Sequence, residues 1–309
     1  MKPSQMKVAL GIGVTLILGV LILFAFMQQS PENEKITVSS KEFTEQLILG
    51  NIMKVLLEEN GFTVDDNLGL SGTMLNHMAL VNGEIDVYME YSGTAYVVIL
   101  NKEDIIRDPD EIYNIVKQEY KEKWNLIWLN RAEFDNTYTL MMKEEKADKL
   151  EIITISDLAA YVNEYPEELR FATNAEFFAR PDGFTTLEEY YDFNFPQENV
   201  KKMGTGITYL ALEESEVDVA MGFATDGRIQ KFGFVILEDN KQFFPIYNPA
   251  PVISEDVIEK YPELLELLNQ IGPRLSTTEM IEMNYKVDVL GKKTENVARE
   301  WLEEEGLVK

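Results

Sequence analysis

The sequence predicts an α/β protein built as two similar lobes. Short β-like runs alternate with helical stripes along the chain, the pattern of layered α/β folds. A helix–strand segment, Gly72 to Tyr91, recurs 132 positions further on without a gap. The chain has 309 residues, enough for two modest lobes with proper cores.

Ile36-Thr37-Val38-Ser39 reads as the first strand. A helix opens at Thr44 with Leu47, Ile48, Ile52, Leu56 and Leu57 on one stripe, and Gly61 stops it. Gly72 to Asn82 is a second helix ended by Gly83, and Ile85-Asp86-Val87-Tyr88 follows as a strand. In the repeat, Gly72-Thr73, Ala79-Leu80, Glu84, Asp86-Val87 and Met89 meet identical residues at Gly204-Thr205, Ala211-Leu212, Glu216, Asp218-Val219 and Met221. Tyr91 meets Phe223. So many matches in one register mark two copies of one unit. The same offset puts the first strand of the second lobe at Glu168-Leu169-Arg170-Phe171.

Sites in such lobes lie beyond the carboxyl ends of the strands, so Tyr91 and Phe223 are expected to face each other across a cleft. After Pro249 the chain returns to helices. Ser276-Thr277-Thr278-Glu279 is a capping box, and a last helix runs from Thr294 to Glu305 before Gly306. These helices are expected on the first lobe, so the chain crosses between lobes twice. The organisation expected is a membrane anchor or signal at 1–28, a linker at 29–35, lobe 1 at 36–137, lobe 2 at 138–247, and a return to lobe 1 at 248–309.

The amino terminus differs from the rest. Lys2 and Lys7 precede Val8 to Met27, a run with no charge and only Thr15 as a polar side chain. As a helix it rises about 30 Å, the thickness of the hydrocarbon core. Its length and the poor cleavage site at Phe26-Met27-Gln28 favour an uncleaved anchor, with a cleaved signal peptide as the alternative. With the lysines inside, the remainder lies on the extracytoplasmic face.

Composition excludes several function classes. Lys and Arg number 28 against 54 Asp and Glu, a net charge of −26 that repels phosphate backbones and argues against nucleic acid. Cysteine is absent, which removes disulfides, thiolate metal sites and Cys nucleophiles. The single histidine, His77, sits at helical spacing among Met74, Met78 and Val81 and reads as a packing residue. No metal or other cofactor is expected.

Several motifs have a familiar order: Ser40-Lys41-Glu42-Phe43-Thr44-Glu45-Gln46, Asn82-Gly83-Glu84-Ile85-Asp86, Glu90-Tyr91-Ser92-Gly93-Thr94, Asn136-Thr137-Tyr138, Ala179-Arg180-Pro181-Asp182-Gly183, Ala224-Thr225-Asp226-Gly227 and Phe244-Pro245-Ile246-Tyr247. Together they resemble the quaternary-amine family of substrate-binding proteins, which serve ABC importers of glycine betaine, choline and related osmoprotectants. The resemblance spans the chain after the anchor. It implies a periplasmic-binding-protein-like fold of type II that closes over a cation held in a box of aromatic rings. It further implies a permease with ATPase subunits as partner, and no enzymatic activity.

Carried over by position, the box is Tyr91, Tyr138, Phe223 and Tyr247, and the ligand carboxylate meets Lys41, Thr94 and Arg180. The family usually has tyrosine where this chain has Phe223. The chemistry suits the assignment: a trimethylammonium group has no N–H to donate, and ring faces attract its charge by about 2 kcal/mol each when desolvated. A planar guanidinium can grip both oxygens of a carboxylate.

Each residue also has a plainer reading. The tyrosines can be half-buried packing, Phe223 core, Arg180 a surface ion-pair residue, Lys41 solvated, and Thr94 a helix cap. Two other functions stay open: the same receptor with choline or another compatible solute as cargo, and a membrane-anchored hydrolase using paired carboxylates.

Overall fold

The computed structural model describes residues 35–104 and 106–309. The anchor expected at Val8–Met27 lies outside the described residues. Among the described residues no helix is long and apolar enough to cross a membrane. Ile36–Lys309 forms one compact unit built around two five-stranded sheets.

The first sheet has the order β2 (Thr63–Asn67), β1 (Lys35–Ser39), β3 (Val87–Tyr91), β10 (Pro249–Ser254), β4 (Leu126–Trp128). The second runs β7 (Val200–Lys202), β6 (Phe171–Thr173), β8 (Val219–Phe223), β5 (Tyr138–Lys143), β9 (Phe234–Ile236). The two orders correspond strand for strand. β1 is parallel to β3 as β6 is to β8, and an antiparallel strand follows in each, β10 beside β3 and β5 beside β8. The antiparallel strand comes from late in the chain in one lobe and from mid-chain in the other, so the polypeptide passes between lobes twice.

The internal repeat is reproduced in hydrogen bonds. After helix α2 (Thr73–Val81) the Glu84 N–H donates to the Ala79 carbonyl at 2.8 Å; after α5 (Thr205–Glu213) Glu216 donates to Ala211 at the same distance. Gly83 (φ 70°) and Ser215 (φ 59°) take the left-handed turn that reverses each helix into its strand. The Asp86 carboxylate then accepts from the Thr37 N–H at 2.7 Å, and the Asp218 carboxylate from the Arg170 N–H at 2.8 Å.

Two strand positions differ from the sequence expectation. Ile85 and Asp86 belong to the turn, and the strand runs on to Tyr91. The second lobe's first strand is Phe171–Thr173, not Glu168–Phe171: Thr37 corresponds to Arg170, so the offset there is one residue longer, and the strand itself starts later than its counterpart. The extra residue is absorbed between strand and helix, outside the matched segment.

Helix α1 (Thr44–Glu59) buries Ile48, Ile52, Leu56 and Leu57 in the first lobe's core, with α8 (Thr294–Glu304) packed along it through Trp301 and Leu302. The capping box forms as read, with Ser276 and Glu279 exchanging bonds at the start of α7 (Thr277–Asp288). Helix α7 packs on the first lobe and also reaches the second. It touches both α1 and the second lobe's α6 (Gly227–Phe232), where Asn284 Nδ2 donates to the Thr225 carbonyl at 3.0 Å and Arg228 pairs with Asp288 at 3.3 Å. The sequence of α7 does not say that it will meet the second lobe; the close approach of Gly227 to Tyr285 brings the two together. His77 is a packing residue, its ring 4.5 Å from Trp124 and 5.4 Å from Tyr120, and burial pushes its pKa down to about 4.

Candidate ligand-binding site

The site lies where the carboxyl ends of β3 and β8 face each other. Tyr91 ends β3 and Phe223 ends β8. Tyr138 opens β5 and is the direct strand partner of Phe223, with ring centroids 5.1 Å apart. Tyr247 comes from the second crossing and stands edge-on to Tyr138 at 5.7 Å. These four rings, with Lys41, Thr94 and Arg180, line one small cavity of about 30 Å³. All seven residues expected from the sequence are thus brought together. The cavity adjoins an open groove of about 1030 Å³ between the lobes.

Three more residues line the cavity: Phe43, Asn136 and Glu176. Phe43 stacks on Phe223 at 5.0 Å and faces Tyr91 at 6.3 Å, so it is a fifth ring. Phe43 and Asn136 sit inside motifs already recognised; Glu176 lies one helical turn before Arg180 and carries no motif of its own.

Both cations expected to meet a ligand carboxylate also have partners within the protein. Lys41 Nζ donates to Glu90 Oε1 at 2.7 Å and Thr73 Oγ1 at 2.9 Å, with both ion-pair partners buried. Arg180 grips Asp182 with two bonds, Nε–Oδ1 2.8 Å and Nη2–Oδ2 2.6 Å. Its remaining contacts are Nη2 to Thr94 Oγ1 at 3.2 Å and Nη1 to Glu176 Oε1 at 3.3 Å. Burial would lower the Arg180 pKa, but Asp182 outweighs it and keeps the guanidinium charged. Each cation therefore has its own carboxylate. Glu176 is a further one: burial pushes it up, yet Lys41, Arg180 and the Thr73 hydroxyl together hold it below the ordinary range, so it is ionised.

Hydrogen bonds across the cleft close the lobes. Thr73 Oγ1 donates to Glu176 at 2.7 Å and Arg180 reaches Thr94. Glu45, in the first turn of α1, accepts from the Tyr91 hydroxyl, Asn136 Nδ2, Thr225 Oγ1 and Asn284 Nδ2. Burial raises its pKa to about 7 against those four donors. The Tyr138 ring carries the Arg180 guanidinium at 5.3 Å on one side, while Tyr91 has the Lys41 ammonium at 5.3 Å. An aromatic enclosure with countered cations at its edge can hold a cation that has no N–H, since a ring face needs none.

The profile of the family described as the substrate-binding domain of ABC-type glycine betaine transport systems matches residues 34–304. The chain belongs to that family. It is 35% identical over 280 residues to a glycine-betaine-binding protein of Pseudomonas aeruginosa, covering 89% of each chain. It is 34% identical over 286 residues to the ergothioneine transport permease/ergothioneine binding protein EgtU of Helicobacter pylori, covering 92% of this chain and about half of that relative's length. A crystal structure titled as a glycine betaine/carnitine/choline ABC transporter superposes with a TM-score of 0.70 at 30% identity, covering 88% of this chain and 99% of the other. Members of the family are solute-binding proteins, and the two-lobed α/β architecture is theirs.

Proposed function

We propose that this chain is the extracytoplasmic solute receptor of an ABC importer, closing on a quaternary amine of the glycine betaine, carnitine or choline type and presenting it to the permease. The observation that carries the reading is the enclosure of one cavity by five rings, Phe43, Tyr91, Tyr138, Phe223 and Tyr247, drawn from both lobes. Opening the cleft takes such a box apart, so binding and closure are one event. Four desolvated cation–ring contacts give a gross attraction of roughly 8 kcal/mol, the scale of micromolar binding before ordering costs. The absence of a tyrosine hydroxyl at Phe223 leaves the ring face intact. Phe43 beside it supplies a second face.

The relatives' names support cargo of this chemistry and a permease partner, and the ABC-type system named for the family supports ATPase subunits beside it. The apolar run at Val8–Met27 supports tethering at the outer face of the cell membrane. As a receptor it returns its ligand unchanged. Calorimetric titration of the full-length chain in detergent with glycine betaine, choline and glycine tests the reading. Saturable binding of a quaternary amine with silence for glycine is expected. A primary ammonium loses its water hydrogen bonds among rings. Binding of glycine alone, or turnover of any of the three, overturns it.

A further inference from the structure

Glu176 has two carboxylate oxygens and the protein uses one. Oε1 accepts from Thr73 and Arg180, whereas Oε2 receives no hydrogen bond from any described residue. The side chain is about one-third exposed, lines both the cavity and the groove, and stands opposite Gly72. A Cβ at Gly72 would lie 3.8 Å from Oε2, so the missing side chain leaves the space in front of that oxygen open. The guanidinium that bonds Oε1 is the one lying 5.3 Å from the Tyr138 ring centroid, which places the carboxylate one guanidinium away from the cage.

The charges at the site point the same way. Two cations, Lys41 and Arg180, are matched by Glu90 and Asp182, and Glu176 is left over. A ligand anion arriving here finds neither cation unpaired and meets an extra negative charge; a ligand with a net positive charge meets the reverse.

We propose that Glu176 selects the cargo: a quaternary amine that also carries a hydroxyl or N–H donor, of which choline is the simplest, in preference to glycine betaine. The proposal rests on the quaternary-amine reading of the cage. Glycine betaine has three N-methyl groups and a carboxylate, hence no donor for Oε2 and an anion to set against it. Choline places an O–H two carbons from the ammonium and keeps a net positive charge. A hydrogen bond to an ionised acceptor is among the stronger ones.

The test titrates the full-length chain with choline, its O-methyl ether, glycine betaine and tetramethylammonium. Choline is expected to bind at least about tenfold tighter than the ether and glycine betaine. Glu176→Ala should bring the choline-to-ether ratio close to one. Glu176→Gln keeps an acceptor for Thr73 and Arg180 but turns an amide N–H toward the ligand, from which the choline hydroxyl and the ether oxygen can both accept, so the choline-to-ether ratio should again approach one while glycine betaine gains. Equal binding of choline and its ether to the unaltered chain overturns the proposal, as does a ratio that neither variant changes. Tetramethylammonium, the head group alone, separates the two levels. If it binds while choline gains nothing over its ether, only the role of Glu176 falls; if none of the four binds, the cage reading fails and takes the proposal with it.

Discussion

The Tyr91 hydroxyl donates to Glu45 Oε1 at 2.7 Å, so a ring of the cage is held by a carboxylate that also ties three other segments together. Asn136 belongs to the first crossing between lobes, Thr225 to the second lobe and Asn284 to the bridging helix α7. The cage ring at Tyr91 is thus set by the same group that reports whether the lobes are closed.

This network tolerates a proton. Thr225 Oγ1 lies 2.5 Å from Glu45 Oε2 and 2.9 Å from Asn136 Oδ1. With Glu45 ionised the hydroxyl donates to it; with Glu45 protonated the hydroxyl accepts from it and donates to Asn136. Burial raises Glu45 from 4.5 to about 7. A raised folded-state pKa means that the folded chain holds the proton more tightly. The contribution is therefore full below about 4.5 and fades as pH rises through 7, a span of roughly 3 kcal/mol. Glu188 and Asp135, pushed up to about 7 and about 6, act in the same direction, so the comparison must be internal. Melting temperature measured between pH 5 and 8 should fall with rising pH more steeply in the unaltered chain than in Glu45→Gln, whose side chain is neutral throughout. Identical slopes would show that Glu45 does not titrate in this window.

Tyr138 touches the most rings of any cage residue, meeting Phe177, Phe223, Phe244 and Tyr247. Its hydroxyl makes no hydrogen bond to a described residue. Tyr138→Phe should therefore hold quaternary-amine affinity within about threefold, while Tyr138→Ala should weaken it more than about tenfold by removing one desolvated ring face. A loss from Tyr138→Phe as large as that from Tyr138→Ala would assign the binding to the hydroxyl instead.

The position of Arg180 changes what its removal is expected to do. Asp182 is buried and accepts from Arg180 twice and from the Tyr247 hydroxyl once, at 2.7 Å. Arg180→Ala strands that charge, which costs about 3–5 kcal/mol of stability in buried pairs. Adding Asp182→Asn should restore much of the loss, because an amide does not need a counter-ion. Chemical denaturation of the single and double variants checks this. A double variant no more stable than Arg180→Ala would mean that the pair is not the source.

Much of this fold is legible from residue patterns because the patterns are local. The capping box at Ser276 and Glu279 needs only four residues, and the turn after the first repeated helix is written in Gly83. The repeat is legible because both copies bury the same face, leaving Ala79-Leu80 and Ala211-Leu212 beneath α2 and α5. Its register fails at the first strand, where a loop absorbs one residue without disturbing the match that follows. Four of the five rings stand in motifs, and Phe223 is reached through its match with Tyr91 in the repeat. The partners of Lys41 and Arg180 are not readable in advance: Glu90 and Asp182 stand inside recognised motifs, but in a chain with 54 acidic side chains nothing local says which one will face a given cation. Glu176 is missed for the same reason, since its meaning comes from Thr73 and Gly72 on the other lobe.

The contact of α7 with the second lobe depends on Gly227. A Cβ there would stand 2.7 Å from Tyr285 Cβ and 2.8 Å from its Cα, closer than such atoms come, and the obstacle is largely backbone. Gly227→Ala therefore has to push α7 away from α6. That loosens Asn284 from the Thr225 carbonyl and Arg228 from Asp288, and with them one of the four donors to Glu45. Overpacking of this kind costs about 1–3 kcal/mol. Since the bonds lost hold the lobes closed, quaternary-amine affinity should fall together with stability. Gly233→Ala is the control: at φ 66° it is strained, but no atom lies within 4 Å of the added Cβ, so it should cost about 1 kcal/mol and leave affinity unchanged. Titration and denaturation of both variants decide the matter. A Gly227→Ala chain that is destabilised yet binds as tightly as the unaltered one would detach α7 from closure.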